Sequence, residues 1–246
     1  MSNNLTVFAD STINGGSYDK VRVFGSANVL GDLTAQSMKV YGAVEYKGKC
    51  KIEDLKLYGA CEFFEYVEVE NLNIKGACEF NNDVKVNYLK IYGAVEFNKN
   101  VFRCKEVKVY GEATVSNLEA DEIYINGLVE CTEQLNGEKI EITTNHGSTI
   151  KEMVGTHILV KPQKKKPFSF FKNIVIVSNN SGGHNTSKKV EIETIEGDDI
   201  YLENVVSKAV RGNKITIGPN CEIDLVEYHE TYNIIGKDGV KEVVKY

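Results

Sequence analysis

Leu55-Lys-Leu-Tyr-Gly-Ala-Cys-Glu-Phe63 and Leu72-Asn-Ile-Lys-Gly-Ala-Cys-Glu-Phe80 are nearly the same string, seventeen residues apart. Their glycines belong to a longer series: Gly25, Gly42, Gly59, Gly76, Gly93, Gly111 and Gly127, at intervals of 17, 17, 17, 17, 18 and 16. A period this regular is the signature of a repeat architecture and decides the fold before any single motif is weighed.

Within each unit the apolar residues alternate, as a strand with one buried face requires. Before the glycine stand pairs such as Val21/Val23, Met38/Val40, Leu55/Leu57 and Leu89/Ile91. After it come Ala27/Val29, Val44/Tyr46, Cys61/Phe63, Cys78/Phe80 and Val95/Phe97. A third pair follows, as in Cys50/Ile52, Val67/Val69 and Val84/Val86. Three inward pairs per unit describe a triangular coil of about 17 residues, stacked by parallel pairing into an all-β, right-handed parallel β-helix. Tyr46, Phe63, Phe80 and Phe97 then form an internal aromatic ladder. The seven glycines mark a corner, where a left-handed or otherwise restricted backbone is easily adopted. Leucine-rich repeats need longer units and a Leu/Asn consensus that is absent. A hexapeptide helix finds one match, Ile217-Gly-Pro-Asn-Cys-Glu-Ile223.

Residues 1–160 are accordingly read as the β-helix domain. Residues 161–172 are a basic, aromatic loop, 173–230 a C-terminal β region and 231–246 a charged, loosely held tail. In the β region, Asn173–Ser178, Lys189–Ile195, Asp198–Glu203, Val205–Val210, Lys214–Ile217 and Glu222–Tyr228 read as short strands. They either extend the coil or form a small β-subdomain.

Composition narrows the function. Hydrophobic residues make up 42% of the 246, with 21 Gly, 3 Pro and no Trp, which suits a globular chain with little helix. No apolar run reaches the roughly 18 residues of a membrane-spanning helix. No secretory leader is visible in Met1-Ser-Asn-Asn-Leu5, so the expectation is a cytoplasmic chain with six reduced Cys. The net charge of −6 hides five Lys and no acid within 161–172, which leaves 24 basic against 35 acidic residues elsewhere. A body this acidic repels nucleic acid.

The repeat [LIV]-x-[LIV]-[YFK]-G-x-[AVC]-x-[FYV] across residues 21–131 resembles the bactofilins. Ile195-Glu-Gly-Asp-Asp-Ile-Tyr-Leu-Glu203, Val210-Arg-Gly-Asn213 and Ile217–Tyr228 resemble the ending of a longer, two-part subgroup from Firmicutes-type bacteria. The resemblance implies a cytoskeletal polymer formed without nucleotide, in which β-helices join end to end as scaffolds near the membrane. They serve cell shape, envelope or motility. Two features depart from the family: Pro-rich tails are absent, and a C-terminal cap would limit growth to dimers. A non-polymerising adaptor and a β-helix enzyme, of the hexapeptide acyltransferase or polysaccharide lyase kind, are the alternatives.

No catalytic, cofactor or metal site is expected. Cys61 and Cys78 share a column within disulfide reach but read as core fillers. No C-x₂-C pair exists, and His146, His157, His184 and His229 all lie outside the repeats. Ser181-Gly-Gly-His-Asn-Thr-Ser-Lys-Lys189 lacks phosphate-loop spacing, and Asp198, Asp199 and Glu203 read as solvated charge. Two surfaces stand out. Phe24, Tyr41, Tyr58, Tyr92 and Tyr110, interrupted by Lys75, form an outward column suited to a partner or a second filament. Lys164, Lys165 and Lys166 with Phe168, Phe170 and Phe171 suit an anionic membrane surface at its inner face. The expected partners are other copies of the chain and envelope proteins or lipid.

Overall fold

The computed structural model describes residues 3–163, 188–236 and 239–246. Every regular element among them is a strand: β1 Asn4–Val7, β2 Ser11–Ile13, β3 Gly16–Val23, β4 Ser26–Val29, β5 Leu33–Val40, β6 Ala43–Tyr46, β7 Cys50–Leu57, β8 Ala60–Phe63, β9 Val67–Ile74 and β10 Ala77–Phe80. They continue as β11 Val84–Ile91, β12 Ala94–Val109, β13 Glu112–Ile125, β14 Leu128–Thr143, β15 Thr149–Lys161, β16 Val190–Leu202, β17 Val205–Ile217, β18 Glu222–Ile234 and β19 Val240–Lys245.

All pairings are parallel and join equivalent positions of successive coils, β5 to β7 and β7 to β9 for example. The chain is therefore a β-solenoid. One column can be followed from Leu5 through Val21, Met38, Leu55, Leu72, Leu89, Val107, Ile123, Ile140, Ile158, Ile200 and Ile215 to Tyr232, thirteen rungs in all. At about 4.8 Å per rung the stack is roughly 58 Å long.

The alternation in sequence becomes burial in space. In β5, Leu33 and Ala35 point inward, then Met38 and Val40, with the phase changing between Ala35 and Met38 as the chain rounds a corner. Val44 and Tyr46 of β6 complete the coil. Three inward pairs per coil are what the sequence predicted. Tyr46, Phe63, Phe80 and Phe97 stack in the interior with ring centroids 5.4, 4.7 and 4.9 Å apart. Burying each contributes at most about 2–3 kcal/mol.

The corner glycines need a different explanation from the one their spacing suggested. None of the seven has a positive φ. A Cβ on Gly42, Gly59, Gly76, Gly93, Gly111 or Gly127 would instead lie 1.8–2.0 Å from the carbonyl oxygen of the glycine one rung below. Glycine is required because stacked backbones approach too closely for any side chain. The ladder ends at buried Thr144, whose hydroxyl donates to the Gly127 carbonyl at 3.0 Å. The extra residue of the 18-residue interval is absorbed between Phe102 and Glu106, where the pairing with β11 shifts register and Arg103 takes φ 62°.

Beyond residue 160 the coil continues. β15 pairs directly with β16 from Thr149↔Glu191 to Val160↔Leu202, so the C-terminal region extends the solenoid and forms no separate subdomain. The short strands expected at Asp198–Glu203, Val205–Val210 and Lys214–Ile217 merge into longer ones, β16 and β17. Residues 231–246 are not a loose tail among the described residues: β18 runs to Ile234, and β19 pairs with β18 from Ile223↔Val240 to Tyr228↔Lys245. A second glycine ladder, Gly137, Gly155, Gly197 and Gly212, occupies another corner of these rungs. The strand expected at Asn173–Ser178 lies outside the described residues.

Candidate interaction surfaces

Each strand of the solenoid presents its outward residues as columns running along the axis, one residue per rung. The column before the corner glycines stacks as expected, and it begins one rung earlier, at Phe8. Phe8–Phe24, Phe24–Tyr41, Tyr41–Tyr58 and Tyr92–Tyr110 have centroids 5.3, 5.0, 4.9 and 4.9 Å apart. Lys75 stands at the rung where the stacked rings are interrupted. Its ammonium sits 5.3 Å from the Tyr58 centroid and 5.8 Å from that of Tyr92, a cation–π link between two aromatic stacks. These rings are exposed, 38% at Tyr58 and 76% at Phe8. Phe8 escaped sequence reading because no glycine follows it.

Immediately beyond this corner, β6, β8, β10 and the start of β12 share one face. Their first residues form a column of alanines, Ala43, Ala60, Ala77 and Ala94. Two residues on, Glu45, Glu62, Glu79 and Glu96 form a column of carboxylates. The face is a shallow groove of about 980 Å³ that continues to Asp10 at one end and to Glu112 and Glu130 at the other. Its lining contains seven carboxylates and no Lys, Arg or His.

The opposite pattern occurs on another face, where Lys51, Glu68 and Lys85 occupy one column. Glu68 lies 3.4 Å from Lys51 and 3.0 Å from Lys85, and the Lys85 hydrogen bond holds its carboxyl below the usual range. Alternating charges satisfy one another. Stacked glutamates do not: neighbours at about 4.8 Å repel by roughly 0.9 kcal/mol even in bulk water. Local partners relieve part of this. Asn81 donates to Glu62 at 3.2 Å, Asn98 to Glu79 at 2.9 Å, and Lys47 pairs with Glu45 at 3.3 Å.

The candidate chemical groups are dispersed. All six cysteines are free and buried. Burial pushes the thiols of Cys50 and Cys104 up to about 12 and that of Cys131 to about 11. Cys61 and Cys78 are paired in register, and the hydrogen bond to Cys78, followed by burial, raises the Cys61 thiol well above its ordinary value. Asp198 and Asp199 turn to different grooves: Asp198 accepts from Asn213 at 2.7 Å, while Asp199 pairs with His157 at 3.3 Å. Glu203 accepts from the Tyr201 hydroxyl. No group of three or more His, Cys, Asp or Glu among the described residues is placed to hold a metal ion.

Among the described residues, the two ends of the stack are paired on one side: β1 and β2 with β3 and β4, and β19 with β18. The C-terminal end exposes Ile234, Ile235, Val243, Val244 and Tyr246. Lys164, Lys165, Lys166, Phe168, Phe170 and Phe171 lie outside the described residues, as does Ser181–Ser187. No described helix is long and apolar enough to cross a membrane.

Comparison with known proteins adds two relatives. The chain is 34% identical over 112 residues to "Uncharacterized protein YhbF" of Bacillus subtilis (strain 168), a match covering 45% of this chain and 41% of that protein. It is 58% identical over 40 residues to "Uncharacterized protein YhbE" of the same organism, covering 16% of this chain and 17% of that one. The chain thus spans less than half the length of either relative. No family model and no solved structure matches it.

Proposed function

We propose that the protein is a structural scaffold that associates with copies of itself through the ends of its solenoid, without nucleotide and without catalysis. The observation that carries this reading is the pair of one-sided end rungs. Each has a neighbouring strand on one side only among the described residues, and parallel strands of matching spacing on another copy would extend the ladder there. The apolar residues exposed at the C-terminal end add burial to that pairing. The bactofilin-like repeat points the same way. Among the described residues the cysteine thiols are buried, and Asp198 and Asp199 turn to different grooves, so neither set gathers at one site. On this reading the chain works in the cytoplasm beside the membrane, with Lys164–Lys166 and Phe168, Phe170 and Phe171 as the lipid contact.

Negative-stain electron microscopy and light scattering across a range of concentrations test the assembly. Filaments or end-joined rods that lengthen with concentration, with nucleotide omitted, are expected. Discrete single solenoids at every concentration overturn the proposal.

A further inference from the structure

The side of the solenoid that leads up to the corner glycines carries two columns that belong together. One is the exposed aromatic column from Phe8 to Tyr110, with Lys75 at its one rung without a ring. The other lies two residues earlier on the same outward face. There Arg22, Lys39 and Lys56 occupy consecutive rungs, and Lys90 and Lys108 follow after Asn73. Lys108 is paired with Glu106. Arg22, Lys39, Lys56 and Lys90 have no ion-pair partner among the described residues. Cations one rung apart, at about 4.8 Å, repel one another, and an anionic partner relieves that repulsion.

We propose that this face lies on an anionic lipid bilayer, with the aromatic corner at headgroup level and the basic column against the lipid phosphates. Three observations select that partner. First, from Arg22 to Tyr110 the two columns hold six cations and no acid, in a chain whose net charge is −6. Asp54 and Glu106 stand in the next column, farther from the corner. Second, neighbouring rings lie 3–13° from parallel, so along the column their faces cover one another and their edges are what remains exposed. A sugar or a base stacks on a ring face and finds none free there, whereas a bilayer interface takes up aromatic edges and their hydroxyls. Third, the chain leaves the stack at this corner. Lys161, the last residue of β15, stands one place past Val160 as Tyr110 stands one past Val109, and those two valines share a column through Ile125 and Ile142. The stretch read above as a lipid contact begins three residues further along the sequence.

The stack gives the contact its strength. From Phe8 to Tyr110 the aromatic column rises six steps of the solenoid, roughly 29 Å. Its rows are rigid before any lipid arrives, so binding orders little of the chain. Each basic residue near an anionic surface strengthens binding about fivefold, and on a straight column these factors multiply. The face is the proposed site by itself, without the stretch that follows Lys161. It runs along the side of the stack and stays free whether or not the ends are joined, so the inference goes beyond end-to-end assembly.

The test is flotation of the full-length protein with phosphatidylcholine vesicles, with and without phosphatidylglycerol. Flotation separates lipid binding from self-assembly, which would sediment. Binding to the anionic vesicles alone, weakened by salt, is expected. Combining Lys39→Gln, Lys56→Gln and Lys90→Gln should lower the partition about a hundredfold, at about fivefold per charge. Tyr58→Ser with Tyr92→Ser should lower it too while leaving its salt dependence. Circular dichroism checks that both surface variants remain folded. No flotation of the parent, equal flotation with neutral vesicles, or less than a tenfold loss in the lysine variant overturns the proposal. Loss confined to a Lys164→Gln, Lys165→Gln, Lys166→Gln variant assigns the contact to that stretch and also overturns it. A parent that binds soluble polyglutamate, with vesicle binding unchanged in the tyrosine variant, identifies an acidic polypeptide as the partner and overturns the assignment to lipid.

Discussion

Replacing Gly59 with alanine isolates the contact that sets the stacking of the coils. The new Cβ would stand 1.8 Å from the Gly42 carbonyl oxygen and 2.7 Å from that of Tyr41. Contacts below 3.0 Å are not tolerated, so the two rungs must part locally by about 1.2 Å or more. Three backbone hydrogen bonds span that gap: Tyr58 N–H to Val40 at 2.8 Å, Gly59 N–H to Val40 at 3.3 Å and Ala60 N–H to Gly42 at 3.1 Å. Losing most of them costs about 2–3 kcal/mol. The stiffer unfolded chain returns about 0.4–1 kcal/mol. The net is a destabilisation of about 2 kcal/mol, or roughly 4–8 °C in Tm for a chain of this size. Thermal and urea unfolding followed by far-UV circular dichroism measure it. Gly59→Asn distinguishes the causes. A left-handed requirement would make asparagine milder than alanine, whereas close approach makes it at least as damaging. An alanine variant within about 0.5 kcal/mol of the parent, or an asparagine variant that is clearly milder, refutes the close-approach argument.

Acid sensitivity should pass in part through Glu68. Its carboxyl titrates below the usual range because of Lys85, then Lys51. Its stabilising contribution is therefore fully present above the unfolded value of about 4.3 and is lost as the pH falls through the lower folded value. Glu68→Gln should flatten the fall in Tm between roughly pH 5 and pH 3, and high salt should shrink the difference; an unchanged pH profile contradicts the assignment. Thiol chemistry gives a second check. With thiols of 11 to 12, Ellman's reagent near pH 8 should label native Cys50, Cys104 and Cys131 about a hundred- to a thousandfold more slowly than the unfolded chain. Labelling of the native protein at the unfolded rate would show that these side chains are not sealed in the core.

The fold was legible wherever one residue type had to recur at one rung position. Gly25 to Gly127 gave the period, and Tyr46, Phe63, Phe80 and Phe97 gave the interior. The reason for the glycines was not legible, because a sequence does not distinguish a positive φ from a carbonyl 1.8–2.0 Å from the missing Cβ. The rungs beyond residue 160 carry their own signal in Gly137-Glu-Lys-Ile140, Gly155-Thr-His-Ile158, Gly197-Asp-Asp-Ile200 and Gly212-Asn-Lys-Ile215. It was hidden by the long interval between Gly155 and Gly197, which carries residues 164–187. The glutamate groove was missed for another reason. Glu45, Glu62, Glu79 and Glu96 look like ordinary surface charge until parallel register places them in one line.

That register is also why long insertions leave the stack intact. A strand is held by its neighbour above and below, as Val160 is by Ile142 and Leu202, so a corner lengthens without shifting any ladder. Closing a longer loop costs only about 0.6 kcal/mol per doubling of its length. Corners are thus free to vary, while the flat faces are bound to a fixed period. Any chemistry a face carries is repeated along the axis at that period, and it has to be either self-satisfied or open to a partner. The aromatic column with its embedded Lys75 satisfies itself by stacking, and the Lys51–Glu68–Lys85 column by alternation of charge. Four glutamates in register beside four alanines do neither fully. Arg22, Lys39 and Lys56 stack in register in the same way, so like-charged columns of both signs are the part of this surface that stacking alone does not satisfy.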